Sequence, residues 1–250
     1  MRSGVNIRGA GWIGPREHGR VRKGIRAAHA DGADLNTIWK GDPVFARHAK
    51  NFGRFDAASR VAYYAAALAL DDAGWGDPPA DGQGLGMVGT GAAGCLASNL
   101  DYFKDYVSCG RTLARGNLFV YTLPTSPLAE AAIHFGLEGP LLYALSPERP
   151  LAAALEMAAG MIRRGEAAGM LVMEFADGGR DGARPSKEPL EGRPPLAVKS
   201  ARDEPCRPMP CEALCAVLSA QAGVPVEQAT EGSQTDVVAA WERAFRTGDL

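Results

Sequence analysis

The segment GPLLYALSPERPLAAALEMAAGMIRRGEAAGMLVMEF, Gly139 to Phe175, constrains the fold more than any other part of the chain. A short apolar run reaches Ser146, a tight turn follows, and an alanine-rich helix starts near Pro150. Gly165 stops that helix, and a second apolar run, AGMLVMEFA, resumes at once. Two apolar runs joined by a helix read as parallel strands with a crossover, because parallel neighbours need a long connection. The same alternation is found upstream. Val5 to Ile13 is a first strand with glycine breaks, and DAASRVAYYAAALALDDAGW is a helix that Asp56 can cap and Gly74 ends. GLGMVGT is a short strand, Gly91 to Val107 turns into a helix, and another helix starts near Pro127. CEALCAVLSAQ adds one more apolar strand. The prediction is an α/β fold with a mainly parallel, five-stranded mixed sheet and helices on its faces.

Residues 14 to 52 read as irregular surface, rich in Gly, Arg and His, and residues 178 to 210, with seven prolines, as a long loop. Residues 235 to 247 predict a closing amphipathic helix with Val238, Trp241 and Phe245 on one face. The 250 residues suit one domain spanning 1 to 250, and no βαβ block is repeated inside them. A formal charge of −2 gives no basic field, so nucleic acid is not an expected partner. No apolar run approaches the roughly 18 residues of a membrane span, and the first residues lack a secretory apolar region. With five cysteines and no CxxC, free thiols and a cytoplasmic location are the expectation. Cys206, Cys211 and Cys215 have the wrong spacing for zinc pairs and no histidine nearby, so no metal is expected.

GTGAAG, Gly89 to Gly94, matches the glycine pattern of dinucleotide sites. No acidic residue ends a strand about 20 residues later, so a glycine turn under a close-packed helix is the better reading, and no cofactor is expected. Cys95 opens the following helix, but a nucleophile needs a base, and His18, His29 and His48 all lie in the irregular N-terminal stretch. His134, near a helix end, reads as packing or surface. Glu148 stands where strand meets helix, a place many α/β enzymes give to a nucleophile. A carboxylate there also interacts favourably with the helix N-terminus by about 0.3–1 kcal/mol. Pro150 fits the first helical position on the same local logic.

In order, VNIRGAGWIG, FDAASRVAYYAAALALDDAGW, GLGMVGTGAAG, FVYTLPTSPLAEAAIHFGLEGP and MIRRGEAAGMLVMEF resemble segments of the N-terminal half of a β-ketoacyl synthase, of the thiolase fold. The resemblance covers residues 5 to about 220 and implies half of a thiolase-like architecture. In that family the nucleophilic Cys is the eighth residue after the Gly-Pro pair, and counting from Pro140 gives Glu148. A carboxylate is a far poorer acyl acceptor than a thiolate. Arg149 and Pro150 replace the family's small residues, and the two catalytic histidines belong to the half that the resemblance does not cover. The site is therefore expected to be catalytically degenerate, with no catalytic residue of its own.

The resemblance implies a chain-length-factor-type subunit that pairs with an active ketosynthase in fatty-acid or polyketide biosynthesis, with acyl carrier protein as a further partner. The pairing strand would be Leu141, Leu142, Tyr143, Ala144 and Leu145, and the residues gating the partner's acyl pocket would come from Phe119, Tyr121, Leu123 and Pro124. A standalone homodimeric scaffold or acyl-ligand binder is one alternative; Glu148 assisting malonyl decarboxylation is another. A lone half also implies an apolar face in need of cover, from the helix around Trp241, a copy of the chain or a partner.

Overall fold

Alanine against glycine sets the central contact of the fold. The computed structural model describes residues 4–29, 42–45, 50–75, 84–91, 93–112, 115–146, 148–175, 213–220, 224–226 and 234–247. In it β1 (Asn6–Ile13) lies directly under α1 (Ala57–Ala73). A Cβ on Gly9 would stand 2.5 Å from the Ala73 nitrogen, and one on Gly11 would collide with Leu68 and Ala69. Helix α1 begins where the Asp56 carboxylate accepts the Ser59 N–H at 2.8 Å and ends at Gly74, whose φ of 74° is left-handed. Near its end Asp72 is 1% exposed and accepts three backbone N–H groups, from Ala10, Arg22 and Lys23, at 2.8–2.9 Å. Burial still pushes its carboxyl above the usual range, against the pull of those three bonds.

The remaining strands are β2 (Glu17–Arg20), β3 (Ile25–Ala28), β4 (Leu85–Thr90), β5 (Leu141–Tyr143), β6 (Gly169–Phe175), β7 (Ala213–Ser219) and β8 (Val224–Pro225). They form one eight-stranded sheet in the order β3-β2-β1-β7-β6-β4-β5, with β8 beside β1. The expected α/β architecture is present, and the five predicted strands are contiguous in it, from β1 to the β5 edge, but the sheet is wider and less parallel than expected. Only β4 with β5 and β4 with β6 run parallel; β7 enters antiparallel to both β6 and β1. The extra width comes from β2, β3 and β8. The hairpin β2–β3 falls in the stretch read as irregular, because EHGR and IRAA lack apolar alternation. Its buried members are polar and paired. His18 and Arg20 both reach Asp42, at 3.1 and 2.6 Å, and Arg20 also meets Asp71 at 2.6 Å.

Alternate residues of the sheet feed two cores. Met87, Leu171, Met173, Cys215 and Val217 face α1 and α4 (Ser126–Phe135). Val88, Met170, Val172, Leu214, Ala216 and Leu218 face α5 (Pro150–Arg163) and α6 (Gln234–Thr247). Val238 and Trp241 are buried in this second core and Phe245 packs against it, as the predicted stripe requires. The tail helix thus lies on the face opposite α1 and does not cover it. Yet 14 of the 17 residues of α1 are buried, so its outer side is covered by other parts of the chain. Phe45, Phe52 and Phe55 supply an aromatic cap: Phe45 meets Tyr64 at 4.7 Å and Phe52 meets both Tyr63 and Tyr64 at 5.5 Å. Phe135 of α4 stacks on Tyr63 from the other side at 5.6 Å. The predicted loop at 178–210 lies outside the described residues. Among those residues no helix is long and apolar enough to cross a membrane.

Candidate functional site

Strand β5 is an edge. It pairs with β4 alone among the described residues, Val88 opposite Leu142 and Gly89 opposite Tyr143. The predicted strand Leu141–Leu145 is shorter as formed, because the ladder is closed off at Ala144. The Ala144 N–H reaches the Gly89 carbonyl at 2.8 Å, while the Thr90 hydroxyl donates to the Ala144 carbonyl at 3.0 Å. Ala144 is buried, Leu141 and Tyr143 are half-buried, and the side chains of Leu142 and Leu145 are 37% and 78% exposed. Tyr143 turns inward, its hydroxyl donating to the Gly91 carbonyl at 3.0 Å.

The turn after β5 brings Glu148 and Arg149 to the surface in front of α5, both exposed. Arg149 takes the N-cap position without a side-chain cap, and Pro150 opens the helix as expected. Glu148 makes no hydrogen bond or ion pair among the described residues. Among the described residues the elbow therefore presents an exposed carboxylate with no side chain bonded to it. The glycine turn that precedes α2 (Leu96–Ser108) has a packing explanation. A Cβ on Gly89 would stand 2.5 Å from Leu128, and one on Gly91 would strike the Phe175 carbonyl. Cys95 is buried at the start of α2 and donates to the Leu123 carbonyl at 3.5 Å. His134 packs edge-on between Tyr63 and Phe135 at 4.9 and 4.7 Å, as its sequence position suggested.

The predicted gating residues divide into two pairs. Phe119, at the end of the short α3 (Gly116–Phe119), and Leu123 are 54% and 53% exposed. Tyr121 and Pro124 are half-buried. Tyr121 faces α4 and donates to Glu130 at 3.2 Å; burial, then the Glu130 charge, pushes its phenol up to about 12. Asn99 ties this turn to α2, its amide donating to the carbonyls of Cys95 and Thr122 at 2.8 and 3.0 Å. Ser126 adds a hydroxyl bond to the Val120 carbonyl. The turn is held from within while its apolar side chains face out.

Sequence reasoning missed the size of this surface. Leu100, Phe103 and Val107 of α2, at i, i+3 and i+7, are 41%, 61% and 41% exposed, and no residue of α2 is buried. Tyr102 meets Phe119 at 5.6 Å, which packs α2 against the turn. The spacing was readable as an amphipathic helix, but periodicity marks an apolar stripe without saying whether its own chain buries it. Apolar side chains left exposed along one helix stripe are candidates for contact with another surface.

A family model described as "Beta-ketoacyl synthase, N-terminal domain" matches residues 15–174. No curated protein matches in sequence. Among solved structures, the ishigamide ketosynthase/chain length factor superimposes with a TM-score of 0.57 at 16% identity, over 88% of this chain and 62% of that one. A β-ketoacyl synthase from Burkholderia phymatum gives 0.55 at 18% identity, over 87% and 59%. The ketosynthase ApeO in complex with its chain length factor ApeC, from Xenorhabdus doucetiae, gives 0.51 at 14% identity, over 88% and 80%. At these identities the likeness is one of fold, and the chain spans less than two thirds of the first two. With the family model spanning more than half of its length, this chain belongs to the β-ketoacyl synthase family, through the N-terminal, thiolase-like half of that fold.

Proposed function

We propose that this chain is a non-catalytic, ketosynthase-like subunit of the chain-length-factor type, which pairs with an active β-ketoacyl synthase in fatty-acid or polyketide biosynthesis. The observation that carries the reading is exposed apolar surface in two places: Leu142 and Leu145 at the open sheet edge, and Phe103, Phe119 and Leu123 on α2 and the turn. Such a face suits burial against a second subunit. Glu148 at the elbow, exposed and without a bonded partner among the described residues, fits a subunit that leaves condensation to its mate. Phe119 and Leu123 are the side chains free to enter a partner's acyl pocket, while Tyr121 and Pro124 form the frame that aims them. Acyl carrier protein would then be a partner of the assembled pair.

Co-expression with a candidate ketosynthase tests this. The expected result is a stable heterodimer that Leu142→Asp dissociates, and longer products on Phe119→Ala than on Tyr121→Ala. A tight homodimer indifferent to every ketosynthase would replace the reading with a standalone scaffold. Loss of malonyl decarboxylation by the pair on Glu148→Ala would remove the word non-catalytic.

A further inference from the structure

The end of the molecule away from β5 carries a cavity of about 310 Å³ between the β1–β2 turn, the start of β7 and helix α6. Its position is separate from the pairing edge, since β6 and β4 stand between β7 and β5 in the sheet. Its size lies at the small end of the range that ligand sites use. Part of its wall is the buried core itself: Leu214 is 1% exposed and Val238 7%, with the Trp12 indole alongside. Over them Trp12, Pro15 and Ala239 keep accessible apolar surface, with which an apolar ligand would gain dispersion contacts.

The charged side of the cavity is asymmetric. Arg26 lies over the Trp12 ring at 5.5 Å and is already engaged by Glu242 of α6 at 2.9 Å and by Glu17 at 3.7 Å. The Glu242 side chain is only 14% exposed, so that pair is a fixed part of the wall joining hairpin to tail helix. Arg16, also lining the cavity, is exposed and has no ion pair or hydrogen bond from its guanidinium among the described residues. One unmatched positive charge thus stands beside an apolar wall. A cation would be repelled, and a purely apolar molecule would leave that charge unused.

We propose that this cavity is a binding site for a small amphipathic carboxylate, its apolar body against Trp12, Leu214 and Val238 and its head at Arg16. The site is independent of the pairing edge and stands whether or not the subunit reading holds. Isothermal titration of the full chain with octanoate, octanol and octylammonium tests it. Octanoate should bind saturably at one site, with a dissociation constant on the order of 1 mM or tighter. Octanol should bind at least about fivefold more weakly, the size of an exposed charge contact, and octylammonium should not bind. Arg16→Gln, at an exposed position, should bring octanoate down to the octanol level. Val238→Trp should fill the space and abolish both, with a thermal melt showing whether that variant is folded. Leu142→Asp should leave octanoate binding unchanged. No saturable heat with octanoate, octanol binding as tightly, or octanoate binding indifferent to Arg16→Gln would each overturn the proposal.

Discussion

The outer side of α1 and the open flank of β5 both carry apolar side chains, yet among the described residues only the first is covered. Over α1, Phe45, Phe52 and Phe55 fold back from the preceding segment and pack on Tyr63 and Tyr64, leaving both tyrosines no more than 1% exposed. Around β5 and α2, Phe103 stays 61% exposed and Leu145 78%. Apolar area is removed from water at roughly 25 cal/mol per Å² whoever supplies the cover. The difference therefore separates stability from association. The α1 side is finished by the chain's own aromatics, whereas the apolar side chains of the β5 side would be covered only by another surface if the proposed pairing holds.

Substitutions on the two sides should accordingly act on different measurements. The largest effect is expected from Tyr63→Ala, which empties the space between Phe52 and Phe135 and should cost about 3–5 kcal/mol in urea unfolding. Partner affinity per folded molecule should not change; a large loss there would mean that the two faces are coupled. Next comes Leu142→Asp, expected to weaken the subunit pair by about 2–4 kcal/mol in equilibrium sedimentation while the monomer's unfolding midpoint holds. A shift of that midpoint instead would place Leu142 in the fold's own energetics. Asp72→Ala should cost about 2–3 kcal/mol, because it leaves the N–H groups of Ala10, Arg22 and Lys23 without their acceptor. It acts beneath α1, so partner affinity should again be spared.

A smaller effect, visible only against pH, is expected at the hairpin. His29 lies stacked on His18, ring nitrogens 3.1 Å apart, and burial holds its imidazole below the usual 6.5. A depressed imidazole means that the folded state favours the neutral ring. Its contribution is present above 6.5 and is lost as pH falls from there toward the lower folded value. Thermal melts between pH 7.5 and 5 should therefore slope less steeply in His29→Gln than in the native chain, and identical slopes would discount the histidine pair. Smallest of all should be Glu148→Ala, a surface change expected to move stability by less than about 0.5 kcal/mol. A large change in either direction would show that the elbow carboxylate has a partner in the assembly.

What could be read from residues alone follows the locality of the signal. Helix α1 was legible end to end, since Asp56, its apolar positions and Gly74 all lie within 19 residues. The turn from strand to helix was legible for the same reason, as Pro150 and the alanine run after it lie within a few residues of the strand. The direction of β7 was not, because it pairs with β1 across some two hundred residues and its all-buried run carries no sign of parallel or antiparallel. The hairpin escaped because its buried residues are His18 and Arg20, which read as surface until Asp42 and Asp71 are seen beside them. Glu148 was legible as a position but not as an environment; that the carboxylate stands exposed without a partner depends on how the turn is packed.

The brevity of β5 bears on how this family member would choose a mate. Strand β5 is only three residues long, so an incoming strand would find a short rail. Main-chain pairing alone would then hold an intruder weakly, and an arbitrary extended peptide would gain little by adding itself to the sheet. Under the proposed pairing, discrimination would rest on the shape of the exposed Leu142 and Leu145 side chains, which would reward a matching contour over any chain able to form a strand.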